Sequence, residues 1–200
     1  MRPPRLILVA HGSTDPDFAA VVEEIAASIR GRRPDLDIAV AYLDHGPPSV
    51  ADVAEPGAIA VPLLLSSGYH ARVDLPARAP EVVCAEAVGP DPRLADALAD
   101  RLREAGWDGR GPVRLAAASS GEDVAAQAAM LATRLGVDVT ADAAVVATYL
   151  LAPGVFYDAI VASGSRVVSA PIGAHPAVVE IVLDRYDEAV AQVPGRTAPA

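Results

Sequence analysis

Apolar runs of strand length recur at Leu6–Ala10, 38–43, 58–65 and 82–87, and each is followed by residues at helical spacing or by a helix-start signal. The runs are apolar throughout instead of alternating. Strands of that kind are covered on both faces, which predicts a parallel sheet flanked by helices. Between 17 and 30, Val21, Val22, Ile25 and Ile29 fall on one stripe of a helix, and Ser13 or Asp15 stands where its cap belongs.

The same order returns after 106–112, a glycine-rich stretch that reads as a linker. "VRLAAASSGED" replays "LILVAHGSTD", and Leu150 to Gly154 replays Leu64 to Gly68. Residues 87–101 align without a gap on 171–185, pairing Gly89 with Gly173, Pro92 with Pro176 and Asp100-Arg101 with Asp184-Arg185. The expected fold class is therefore α/β, with two similar units facing across a cleft. Residues 1–106 form the first and 112–195 a degenerate repeat.

Composition narrows the function. The chain has 200 residues, a hydrophobic fraction of 52% and a net charge of −10. Nucleic acid and anionic membranes are poor partners for such a surface, since both need a basic face. All 16 basic residues are arginine, which reflects coding bias before function. The one cysteine, Cys84, sits in an apolar run and reads as a small buried residue. No run approaches a membrane span, and the first apolar run stops at His11, short of a secretory signal. The reading is a cytoplasmic protein and a monomer with an internal pseudo-dimer.

The candidate chemistry lies where strands end. Ligands of an open parallel sheet bind beyond the carboxyl ends of its strands. Three polar groups are expected there: His11-Gly12-Ser13, Asp44-His45, and Ser66-Ser67-Gly68-Tyr69-His70. Neutral imidazoles with a carboxylate suit a divalent metal such as Fe, Co, Ni or Zn. A lone histidine at a strand end is more often structural, and Asp44 precedes a Gly46-Pro47-Pro48 turn. His175 reads as a surface or helix-start residue, whereas Arg72 and Arg78 are candidates for holding an anion. In the second half the place of His11 is taken by Ala118 or Ser119, and that of His70 by Phe156. The fold is repeated and the histidines are not.

Some chemistries lack support. "LVAHGST" has Ala10 where a phosphohistidine signature has arginine, so a phosphoryl group would lack its clamp. Motifs for nucleotide binding and serine hydrolysis are missing.

"LILVAHGS", "AYLDHGPPSV" and "VPLLLSSGYHARVDLP" together resemble the CbiX/SirB family of sirohydrochlorin chelatases. The resemblance runs through the first half in order, and the second half resembles the degenerate copy of two-domain members. It implies ATP-independent insertion of a divalent metal, Fe2+ or Co2+ with Ni2+ as a further candidate, into sirohydrochlorin, on the way to sirohaem or cobalamin. By position, His11 and His70 are the catalytic and metal-holding pair, with His11 the proton acceptor. Asp44 stands where the family has glutamate, one methylene longer, and is the third candidate metal ligand. Ser13, Asp44, His45, Leu65, Ser66, Ser67, Gly68, Tyr69 and Arg72 are the candidate substrate contacts. The alternative is a metal or tetrapyrrole carrier with the same fold and no turnover.

Overall fold

The computed structural model describes residues 3–66, 68 and 73–193. The first sheet has strands β1 (Leu6–Ala10), β2 (Ile38–Tyr42), β3 (Ile59–Pro62) and β4 (Val83–Cys84), all parallel, in the order β2-β1-β3-β4. The second has β5 (Arg114–Ala117), β6 (Val145–Tyr149) and β7 (Val167–Val168), also parallel, in the order β5-β6-β7. Two parallel sheets flanked by helices thus face one another across a cleft, as the apolar runs predict.

Burial explains those runs. Leu6, Leu8 and Ala10 of β1 point into a core shared with the second sheet, whereas Ile7 and Val9 point into a smaller core on the other side. Helix α1 (Pro16–Arg32) begins where Asp15 accepts a hydrogen bond from the Asp17 amide, and buries Val22, Ile25, Ala26 and Ile29. The predicted strand at 82–87 is reduced to two residues. Its pairing with β3 ends at Cys84, and the chain turns through Gly89 and Pro90. The second sheet lacks a full counterpart of β2, keeping only a single bridge between Val113 and Val139.

Short helices α2 (Val50–Val53) and α3 (Leu75–Arg78) complete the outer side of the first sheet. Helices α4 (Pro92–Glu104), α5 (Glu122–Leu135), α6 (Val155–Val161) and α7 (Pro176–Gln192) follow. The repeat is visible in the capping residues: Asp91 caps α4 and His175 caps α7, each accepting from the amide two residues on. These two helices are exchanged between the halves. Helix α4, from the first half, packs on β6 and α5; α7, from the second, packs on β3 and α1.

The paired arginines of the repeat anchor this exchange. Arg101 of α4 donates to the Ile172 carbonyl in the second half, at 2.9 and 3.2 Å. Arg185 of α7 lies 3.5 Å from Asp91 and 3.8 Å from Glu86 in the first. One core therefore unites both sheets, from Leu6 to Tyr186. The glycine-rich stretch between the halves is itself pinned, because Trp107 is buried and its indole N–H donates to the Arg110 carbonyl at 3.0 Å. Cys84 is half-buried, and burial pushes its thiol up. Among the described residues no helix is long and apolar enough to cross a membrane.

Tyr186 is fully buried in α7, with its hydroxyl donating to the Pro4 carbonyl at 2.7 Å. Tyr186→Ala is expected to cost about 3–5 kcal/mol, as for other large aromatic truncations. Because the core is shared, urea unfolding should remain one transition by circular dichroism, with the two halves lost together.

Asp91 gives a pH dependence. Burial pushes its carboxyl up, but hydrogen bonds from Arg93 and the nearby charges of Arg93 and Arg185 outweigh this and hold it below the usual carboxylate range. A folded pKa lowered in this way contributes stability above the unfolded value of about 3.9, lost as pH falls through the folded value. Urea midpoints measured from pH 5 downward should therefore fall, and Asp91→Asn should flatten part of that slope.

Candidate metal and tetrapyrrole site

The carboxyl ends of β1, β2, β3, β5 and β6 open on one cleft of about 630 Å³. From the first half it is lined by His11, Ser13, His45, Leu65, Ser66 and Gly68 among others, and from the second by Ala117 to Ser119 and by residues 149–157. Strand topology alone gathers these segments.

His11 is held by the way β1 and β2 continue beyond their ends. Amides of Leu43 and Asp44 donate to the carbonyls of Ala10 and His11 at 3.0 and 2.8 Å. Gly12, at φ +95°, lies so near the Asp44 carbonyl that a Cβ there would sit 1.7 Å from its oxygen. Glycine is thus required for both its conformation and its lack of a side chain. The result places His11 Nε2 4.0 Å from Asp44 Oδ2, both side chains partly exposed. His11 Nδ1 lies 3.4 Å from the Gly12 carbonyl, so the tautomer protonated at Nδ1 would donate there and leave its Nε2 lone pair on the Asp44 side.

Asp44 has a second partner. Arg78 Nη2 lies 3.6 Å from Asp44 Oδ1, while the same guanidinium donates to Asp74 at 2.8 Å and to the Leu43 carbonyl. Asp44 itself is not among the residues lining the cleft, whereas its neighbour His45 is. His45 holds φ +51°, a left-handed conformation uncommon for a residue with a Cβ. Ser13 accepts from the Asp15 amide at 3.0 Å, which leaves its O–H able to donate.

His70, Ser67, Tyr69 and Arg72 lie outside the described residues. Among the described residues no three His, Cys, Asp or Glu side chains gather closely enough to hold a metal ion; His11 and Asp44 form a pair. His175, as its place in the repeat suggests, caps α7 and lies 3.5 Å from Asp100, away from the cleft.

The sequence reading missed the contribution of the second half. Tyr149 at the end of β6 is buried, and its hydroxyl donates to the Leu65 carbonyl of the first half at 2.6 Å. It also lies 3.4 Å from Gln127 Oε1, which accepts from the Asp91 amide at 3.1 Å. Burial raises the phenol pKa well above its usual value, so it stays a donor. Gly89 completes this contact, since a Cβ there would lie 2.4 Å from the Leu65 carbonyl and 2.6 Å from the Tyr149 hydroxyl. The repeat alignment was the available signal, because it places Leu150 and Leu151 on Leu64 and Leu65.

A two-sheet α/β chain with an imidazole on the wall of a shared cleft and a carboxylate 4.0 Å from it defines a class of open-site proteins. Residues 5–105 match the CbiX family model, and the chain belongs to that family. A sirohydrochlorin cobaltochelatase of Methanococcoides burtonii is 37% identical over 78 residues, covering 36% of this chain and 60% of that protein. Another, of Methanopyrus kandleri, is 26% identical over 136 residues, covering 50% of this chain and 95% of the relative. The sirohydrochlorin chelatase SirB of Bacillus subtilis subspecies spizizenii, solved with cobalt, superposes with a TM-score of 0.71 at 22% identity, covering 94% and 95% of the two chains. A multi-domain protein of Deinococcus radiodurans with structural similarity to chelatases gives 0.73 at 21% identity, covering 100% of this chain and 57% of its own. At these identities the structural likeness is one of fold.

Tyr149→Phe removes the donor to Leu65 and should cost about 0.5–1.5 kcal/mol in urea unfolding. Gly12→Ala should cost more, because its Cβ would force the Asp44 backbone away. A Gly12→Ala chain as stable as the parent would contradict the described approach of the two loops.

Proposed function

We propose that this chain is a sirohydrochlorin metallochelatase that inserts Fe2+ or Co2+ into the ring without ATP. The observation that carries the reading is His11 on one wall of a cleft built by both halves, with Asp44, itself outside the lining, 4.0 Å from its Nε2. Membership of the CbiX family and the names of the relatives support it. Residues 1–106 are then the metal-bearing unit, and 112–195 a degenerate repeat that supplies the facing wall within one cytoplasmic monomer.

The reaction exchanges one divalent cation for two pyrrole N–H protons. The metal leaves protein ligands for ring nitrogens, and the protons leave for bases or water. The His11 imidazole suits both tasks, as a releasable nitrogen ligand and as a proton acceptor. In this reading His70 and Asp44 complete the donor set, and Arg78 steadies Asp44 so that its shorter side chain is aimed at the metal. Many carboxylates surround the macrocycle, and the protein is acidic overall. Local donors are therefore needed: the hydroxyls of Ser13, Ser66 and Ser67, the Gly68 amide and the guanidinium of Arg72. Leu65, Tyr69 and His45 are the remaining ring contacts in this reading. The affinity order among divalent metals ranks Fe2+ below Co2+ without deciding the physiological one, so supply and geometry select between the sirohaem and cobalamin routes.

The engagement of Asp44 by Arg78 favours one second reading, a carrier in which the carboxylate is occupied and metal is held without turnover. Incubation with sirohydrochlorin and Co2+ or Fe2+, followed by absorption against an enzyme-free control, separates the two. The chelatase reading expects catalytic turnover; a carrier gives at most one equivalent. His11→Ala and His70→Ala should each lower the rate about a hundredfold or more, within the range of general-base contributions, while His175→Ala leaves it unchanged. Parent-like rates in folded His11→Ala and His70→Ala chains would overturn the assignment.

A further inference from the structure

The second half contributes a side chain with no obvious role in folding. Phe156, in α6, is 61% exposed, and none of the residues of α6 is buried. A solitary exposed aromatic needs no explanation, but the position of this one does. It lines the cleft that holds His11, and it also lines a neighbouring cavity of about 650 Å³ along the open edge of β5. With Ala117 and Ser119 it is common to both spaces.

Local structure sets it there. Gly154, at φ +146°, starts α6 in a conformation that residues with a Cβ rarely adopt, and Val155 and Phe156 follow directly. In the repeat, Phe156 occupies the position of His70. Where the sequence of the first half has an imidazole, that of the second has a ring that neither titrates nor binds metal. Of the other aromatic residues on this lining, Phe18, Tyr149 and Tyr157, none is as exposed as Phe156, and much of the rest is aliphatic, including Leu63, Leu65, Leu150 and Leu151. A flat conjugated ligand gains from an aromatic face in a way it does not from leucine, through offset stacking or edge contact.

We infer that Phe156 is the aromatic contact for the tetrapyrrole plane on the wall opposite His11, a substrate-positioning residue supplied by the half that carries no candidate metal ligand. The inference rests on the proposed function and adds to it the means by which the second half holds the ring.

The test is binding of metal-free sirohydrochlorin to the full chain, followed by its absorption change, so that no catalytic step intervenes. Phe156→Ala should weaken binding about three- to tenfold. Phe156→Leu, which keeps apolar volume without the ring, should weaken it similarly, and Phe156→Trp should retain it. Val161→Ala, another exposed apolar position of α6 that lines neither cavity, should bind as the parent does. Urea midpoints of the variants check folding, which Phe156→Leu protects if Phe156→Ala is unstable. Parent-like binding by folded Phe156→Ala and Phe156→Leu chains overturns the inference and leaves the proposed function standing, as does equal weakening by Val161→Ala. A parent chain that binds no sirohydrochlorin overturns the proposed function, and the inference with it.

Discussion

The exchange of α4 and α7 between the two sheets is the constraint on which the rest of the molecule depends. Each helix follows the last strand of its own half and then packs on a strand of the other. Leu94, Leu98 and Leu102 of α4 and Val178, Val182 and Tyr186 of α7 thereby enter the same core. Close packing of that kind does not deform continuously. The cleft is consequently a fixed gap between two sheets that share an interior, and the loops on its two walls keep one relative placement.

Ionic contacts reinforce this arrangement where apolar packing ends. Arg93 joins Asp91, the cap of its own helix, to Asp184 of the exchanged one. The buried Asp91 carboxylate is compensated by Arg93 and Arg185, one from each helix. Removing either guanidinium would leave a buried charge short of a partner, which is costlier than never having had the pair. The Tyr149 hydroxyl does comparable work at the mouth, because it ties the Leu65 loop of one half to the central strand of the other.

Much of the first sheet was legible along the chain. Continuous apolar runs, the stripe of α1 and its Asp15 cap are local features, set by periodicity and by the chemistry of one turn. So was the gathering of His11, Ser13, His45 and Ser66 at strand ends, which follows from parallel topology. The destination of α4 and α7 was not legible, since an amphipathic stripe says that a helix has a buried face and nothing about which sheet covers it. Tyr149 was hidden for the same reason: within an apolar strand its ring reads as core, and only tertiary placement gives its hydroxyl a carbonyl to bind. The brevity of β4 reflects a single neighbour and an early turn, where hydrophobicity outlasts pairing.

The exchange also orders events while the chain is being made. Strands β1 to β3 emerge early, but the helix that covers β3 is α7, the last of the described elements in chain order. Until it leaves the ribosome the inner face of the first sheet is covered by α1 alone of its two helices, and the contact between Pro4 and Tyr186 joins residues 182 positions apart. Such distant pairings close late. His11 and Asp44 are therefore translated, and can be paired through β1 and β2, well before the second half that supplies the facing wall of the cleft.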